Sequence, residues 1–516
     1  MDGIAFGLPA LNDPDEPLFM MLAYDMLDRA SLDPQWFGHP GTITLYCLAA
    51  IMAVTGAIAV VSGQYAGIGD FAQAIYANPG IVILPARMFI AANGVACVGL
   101  TYLLGDRLWG RWYGLVAALL LSMNALHIGW SQVIRTDVQA SVFMLACLLM
   151  TIAIYRGAGL RAHVLAGLFA GLACATKWPA AIVFLSPMTV TACLWLRGDR
   201  SWHRVLILPL TAGVTLLSVS PFLVLSFDVT LADLAGEARQ SHPGATGSGF
   251  IGNLGSYLAG PLANSFGWAG LAGALSGSVL AAVRSRIFLL VVCPVFASFL
   301  ALICLQDLWW ERWLVPVLPF LALGLSWPLV NGLSALWRKD VSLTSFGIAF
   351  GATVLALVPP IIAEGHARSL ERRHDTRQAA AAWIERNAPP GSTVLVEHAA
   401  FDLLQGSWNV KFPLGSDGCI DARSVLASRI SATEVDERRL GGPIVDLGHV
   451  DQAKIESCRA DFYVFSNFDR YASERSAYPE AYARYAKFVH AAVKRIRFAP
   501  VPGERGGPSI LVLEVD

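Results

Sequence analysis

Charge is what this sequence has least of. Asp, Glu, Lys and Arg make up 15% of its 516 residues, against about 25% in a typical soluble domain. The net charge is −1, and no basic domain is present to release counterions from phosphates, which excludes a nucleic-acid partner. Residues 1–20 hold no basic start followed by an apolar run. The opening MDGIAFGLPALNDPDEPLF therefore reads as a polar, acidic loop and not as a cleavable signal peptide. Cysteine is sparse, and seven of the nine (Cys47, Cys97, Cys147, Cys174, Cys193, Cys293, Cys304) fall in apolar stretches, where they are small packing residues. Cys419 and Cys458 lie in a polar C-terminal region. A disulfide between them requires an oxidising compartment, and the sequence alone leaves both states open. No internal repeat is visible.

What fills the space is hydrocarbon. The chain is 55% hydrophobic, and segments 205–227, 287–305 and 342–363 contain no charged residue. Each is long enough to cross a hydrocarbon layer of about 30 Å at 1.5 Å per residue. Spans are expected near 87–104, 114–131, 138–155, 163–176, 178–196, 205–227, 264–283, 287–305, 313–336 and 341–363. Seventeen Lys and Arg precede residue 364, and eleven of them sit in alternate loops: Arg107, Arg111, Arg156, Arg161, Arg197, Arg200, Arg204, Arg284, Arg286, Arg338 and Lys339. The positive-inside rule makes those loops cytoplasmic and puts residues 1–41, the surroundings of Asp137, the turn at Lys177, and the C-terminal region outside. Residues 42–61 are long enough to span as well. They are read here as a half-inserted or re-entrant segment returning through 62–86 on the same face, which keeps the acidic loop on the side of Asp137.

Ionisable groups recur at the outer helix ends: Asp13, Asp15, Glu16, His39, Arg87, Arg135, Asp137, Lys177, Asp307, Glu311 and Arg312. Carboxylates at a lipid interface can act as a base or hold a metal, and Arg or Lys can hold a phosphate. The plainer reading is interfacial anchoring by snorkelling side chains. That account does not explain cations gathered opposite the cytoplasmic basic loops. For Asp15 the plain alternative is a helix cap, since NDPDEP is rich in turn formers and precedes a helical run. Trp309 and Trp310 are most simply an aromatic belt.

Six elements in order resemble the polytopic glycosyltransferases of the GT-C superfamily. The resemblance is to the family-39 type, which includes protein O-mannosyltransferases and the lipid A aminoarabinose transferase. They are the acidic pair Asp15-Glu16 in PDEPLF; His39-Pro40 in WFGHPGTITLY; Arg87 in LPARMF; Asp137 in IRTDVQASVF; Lys177 in ATKWPAA; and Arg312 in ERWLVPVLPF. Gly41 stands where the pattern has a second proline, and residues 62–80 read as an insertion. The pattern also implies a transmembrane helix ahead of the acidic pair, whereas this sequence begins inside that loop.

The resemblance implies an all-α polytopic membrane domain with about 10–12 transmembrane helices. This would occupy 1–363, with 1–41 as the first outer catalytic loop, followed by an extracytoplasmic α/β domain over 364–516. It implies transfer of a sugar from a polyprenyl-phosphate donor to a lipid, glycan or protein acceptor at the outer face of a cell membrane (the bacterial inner membrane), with inversion. Asp15 would be the catalytic base with Glu16 beside it, and Asp137 would orient the acceptor or help hold a metal. His39, Arg87, Arg135, Lys177 and Arg312 would bind the donor phosphate. Superfamily members differ in whether they use a divalent metal, and the residues leave that open. The rival classes are a transporter or lipid flippase, which would favour repeats and midplane charges, and a non-catalytic membrane scaffold. In the C-terminal region, a turn and strand are expected over 389–398, strands at 461–468 and 509–515, and helices at 377–387 and 478–496.

Overall fold

The computed structural model describes residues 3–9, 12–38, 41–199, 201–338, 342–397, 403, 406–423, 434, 437–438 and 446–515. Among these, eight helices are long and apolar enough to cross a membrane: Thr42–Val61, Gly80–Trp109, Thr136–Tyr155, Trp178–Leu196, Trp202–Val219, Gly249–Arg284, Glu311–Trp337 and Leu343–Arg373. Three shorter apolar helices, Arg111–Met123, Leu160–Thr176 and Cys293–Cys304, complete the set. Together they match the ten expected spans plus the segment 42–61.

Local chemistry explains where the spans break. The expected 114–131 divides at Asn124, whose side chain caps the following turn by accepting the His127 amide. The run after residue 202 stops at Val219, ahead of Pro221. Helix Leu160–Thr176 ends where Lys177 turns extended, and a 3-10 segment with Pro179 in its first turn follows. Small residues set the approach of neighbouring helices. A methyl group on Gly167 would lie 1.8 Å from Thr211 Oγ1, and one on Gly171 would lie 2.5 Å from the Ala212 carbonyl. The helices Leu160–Thr176 and Trp202–Val219 therefore touch backbone to side chain, as small-xxx-small pairs permit.

Segment 42–61 is one continuous helix of 20 residues, not a broken one. The chain leaves the site's face at Gly41, next to Phe19 and Thr136, and is back on it by Gly80, next to Leu8. The intervening 62–80 includes a further helix, Ile68–Ala77. Phe71 from this helix packs with Leu45, Met52, Phe19, Met20 and Val82 in an apolar cluster of its own. On the opposite face, Arg156 donates to the Arg107 carbonyl, which brings two of the basic loops together.

Pro359 and Pro360 do not end a helix. Helix Leu343–Arg373 runs 31 residues straight through both prolines, so the boundary expected at 363 falls inside it. Next to these prolines passes Gly267, with φ of 69°, at a kink in the neighbouring span.

Beyond His374 lies a six-stranded mixed sheet of β1 (Thr393–Val396), β2 (Asn409–Pro413), β3 (Cys419–Asp421), β4 (Phe462–Phe465), β5 (Lys494–Phe498) and β6 (Ile510–Glu514). The strand order is β3-β2-β1-β4-β6-β5. β1 lies parallel to both β2 and β4, and the outer pairings are antiparallel. Apolar layers cover both faces: Ala380, Ala381 and Ile384 from Thr376–Asn387 on one, and Tyr485 and Phe488 from Pro479–Ala491 on the other. The helix expected to reach 496 stops at Ala491, because Lys494–Phe498 pairs with Ile510–Glu514 instead. Cys419 and Cys458 form a disulfide.

Candidate active site

The acidic loop reaches its helix through a turn closed by Asp13, whose Oδ1 accepts the Asp15 amide at 3.0 Å. Asp15 occupies the N-cap position of Glu16–Asp28, yet its side chain makes no cap hydrogen bond. The capping role suggested by NDPDEP is therefore not what the carboxylate does. It pairs with Arg135 Nη1 and lies 3.9 Å from Arg312 Nη2, with 35% of the side chain exposed.

Glu16 is placed differently from its sequence neighbour, and its expected catalytic role is corrected accordingly. Its side chain is 0% exposed, as is that of Arg87. The Arg87 fork donates to both carboxylate oxygens, at 2.8 and 2.6 Å, and the Ile134 amide donates to Oε1 at 3.0 Å. Burial pushes the Glu16 carboxyl up, against the pull of Arg87. With both oxygens accepting from Arg87 and the side chain fully buried, Glu16 is placed to hold its neighbours and not to meet an acceptor. Arg87 also departs from its expected role of binding phosphate. Its remaining nitrogen donates to the Ile4 and Phe6 carbonyls at 2.7 and 2.8 Å, so the whole guanidinium is spent on the N-terminal loop.

Arg135 is extended at the start of Thr136–Tyr155, which aims it at the acidic loop. It bonds Asp13 Oδ1 at 2.9 Å as well as pairing with Asp15. Burial lowers its guanidinium to about 10, and Asp13 holds it up, so it stays charged at neutral pH. Asp137 lies in the first turn of the same helix, where the helix dipole favours a carboxylate. It pairs with Lys177, at the break between two spans. Arg312 opens the 3-10 segment Glu311–Val317 and lies over the Trp310 ring, 4.6 Å from its centroid. Trp309 stacks on Tyr257. Trp310 thus carries the Arg312 guanidinium, and Trp309 packs against the core.

Seven of the eight expected residues gather in one cluster on one face of the membrane domain. The eighth, His39, lies outside the described residues. Sequence reasoning missed three arginines from far down the chain. Arg368 forks onto Glu311 at 2.8 and 3.0 Å, next to Arg312. Arg372 donates to Gln132 Oε1 and the Gly129 carbonyl, both at 2.7 Å, and Arg377 donates to the Asn12 carbonyl. These partners at the site are more than fifty positions away in sequence, so no local pattern announces the contacts. Each acid of the cluster is held by a cation, and no three His, Cys, Asp or Glu converge among the described residues.

Residues 71–225 match the family model of dolichyl-phosphate-mannose-protein mannosyltransferases. Among solved structures, ArnT from Cupriavidus metallidurans in the apo state aligns at a TM-score of 0.50 and 15% identity, covering 97% of this chain and 93% of that one. The chain shares the fold of this structure over nearly the whole of both chains. ArnT bound to undecaprenyl phosphate gives 0.50 and 13%, with 98% and 95% covered. The Archaeoglobus fulgidus oligosaccharyltransferase, tethered to an acceptor peptide, gives 0.50 and 12%, with 95% and 69% covered. None of the curated proteins matches by sequence. At these identities the structural likeness is one of GT-C fold, and the site must be argued from its own residues.

Proposed function

We propose that this chain is a multi-pass membrane glycosyltransferase, transferring a sugar from a polyprenyl phosphate to a hydroxyl of a lipid, glycan or protein acceptor, with inversion. The observation that carries this reading is the Asp15 carboxylate. It is the accessible acid of the cluster, flanked by the buried cations Arg135 and Arg312. Asp15 takes the proton of the acceptor hydroxyl as its oxygen bonds to the anomeric carbon and the bond from that carbon to phosphate oxygen breaks. The polyprenyl phosphate leaves with an added negative charge, which Arg312, Arg135 and Lys177 are placed to stabilise. Because the leaving group is already anionic and cation-held, a weak carboxylate base suffices and no protonated acid is required. Asp137, engaged with Lys177, tunes how much of that cation the phosphate receives.

The outer-face orientation and a bacterial inner membrane belong to the same proposal. The basic loops on the far face and a disulfide in the C-terminal domain support it. The test is Asp15→Asn in proteoliposomes supplied with the native donor, following glycan transfer. Loss of about 10²–10⁴-fold is expected for a missing general base. Unchanged transfer would remove Asp15 from this role.

A further inference from the structure

The C-terminal region touches the acidic loop through a few side chains whose convergence is specific. The guanidinium carbon of Arg372 lies 4.6 Å from the centroid of the Phe6 ring, and that of Arg87 lies 4.1 Å from the same centroid. One aromatic ring thus carries two cations. Arg87 passes the contact on through its fork to Glu16, the residue after Asp15. By a second route, Arg372 holds Gly129 and Gln132, in the segment that leads to Arg135, which pairs with Asp15. Both routes start at one side chain; the first ends at Glu16, next in sequence to Asp15, and the second at Asp15 itself.

Arg372 is in turn fixed to the α/β domain. Glu371, beside it, accepts the Gly506 amide on its carbonyl at 3.0 Å and the Gly503 amide on its carboxylate at 2.7 Å. Thr376 donates its amide to the Gly506 carbonyl at 3.0 Å and its hydroxyl to the Pro508 carbonyl at 2.6 Å. Arg377, braced by both oxygens of Asp375, reaches the Asn12 carbonyl.

We propose that Arg372 is a positioning residue for Asp15, acting through Phe6 and through the 129–135 segment. The α/β domain sets the geometry of the acidic loop by holding Arg372 and Arg377 in place. The consequence for catalysis rests on the reading of Asp15 given above; the mechanical link does not.

The experiment is hydrogen–deuterium exchange on the full chain in nanodiscs, comparing Arg372→Ala and Phe6→Leu with the unaltered protein. Phe6→Leu keeps apolar bulk and loses the ring face, so it serves if Arg372→Ala misfolds. Exchange in residues 3–16 is expected to rise at least about tenfold in both, with the sheet strands 393–396 and 510–514 unchanged. Phe6→Tyr, which keeps the ring, is expected to restore the slow exchange. With native donor and acceptor, kcat should fall in the first two variants. Binding of undecaprenyl phosphate alone should stay within about twofold, since the cations nearest the phosphate are untouched. Unchanged exchange in 3–16, or a rise spread through the sheet as well, overturns the proposal. If Asp15→Asn leaves transfer intact, the functional reading fails while the exchange result still decides the positioning claim.

Discussion

The Glu16–Arg87 pair offers a sharp test of how this membrane domain is held together. Both side chains are fully buried, and the fork is bidentate with a third donor from Ile134. At an effective dielectric near 20, unit charges about 4 Å apart attract by roughly 4 kcal/mol. Breaking one partner of a buried pair costs about 3–5 kcal/mol, because the survivor is left charged and dry. Glu16→Gln keeps the shape but turns an amide toward the guanidinium, so a loss of about 3 kcal/mol is expected. The double variant Glu16→Gln with Arg87→Met removes the stranded charge and should recover most of the loss, since replacing both partners by matched neutral groups is often nearly neutral. Reversible unfolding in mixed micelles, read as a double-mutant cycle, measures the coupling. A loss under about 1 kcal/mol for the single variant, or a double variant no better than the single, would show that the pair is solvated. Glu16 would then return to the list of reactive groups.

On the proposed mechanism Asp137 competes with the donor phosphate for Lys177, so Asp137→Asn should tighten undecaprenyl phosphate binding by about tenfold; weaker binding in a titration would refute the competition. With every acid of the cluster occupied by a cation, chelation by EDTA should leave transfer unchanged, and a loss restored by added Mg²⁺ or Mn²⁺ would show that a ligand set forms on substrate binding. Gly167→Val should destabilise by at least about 2 kcal/mol, because its Cβ would lie 1.8 Å from Thr211 Oγ1; thermal unfolding equal to that of the parent would show that the two helices are not in contact.

The membrane architecture was legible because apolar length is a direct physical requirement, and ten spans followed from it. The breaks at Asn124 and Pro221 were carried by single residues inside apolar runs, which length alone does not register. Asp15 looked like a cap because NDPDEP supplies two candidate turn acids, and only coordinates reveal that Asp13 closes the turn. The pairing of Glu16 with Arg87 spans 71 positions and that of Arg372 with Gln132 spans 240. Neither separation leaves a periodic trace. In the α/β domain, β1, β4 and β6 are apolar and were readable, whereas NVKFP, CID and KRIRF are short or charged and gain strand character only from their neighbours.

The unbroken helix Leu343–Arg373 has a consequence for how the protein senses its lipid. Its 31 residues extend about 46 Å at 1.5 Å per residue, well beyond a hydrocarbon core of about 30 Å. Roughly the last three turns, which carry Arg368 and Arg372, therefore form a rigid stalk bearing the sheet domain. A bilayer of different thickness changes the tilt of such a rod at modest cost. Tilt would displace the stalk's arginines relative to Glu311 and Phe6. Exchange in residues 3–16 is therefore expected to depend on acyl-chain length in nanodiscs, and equal exchange in thin and thick bilayers would refute the lever.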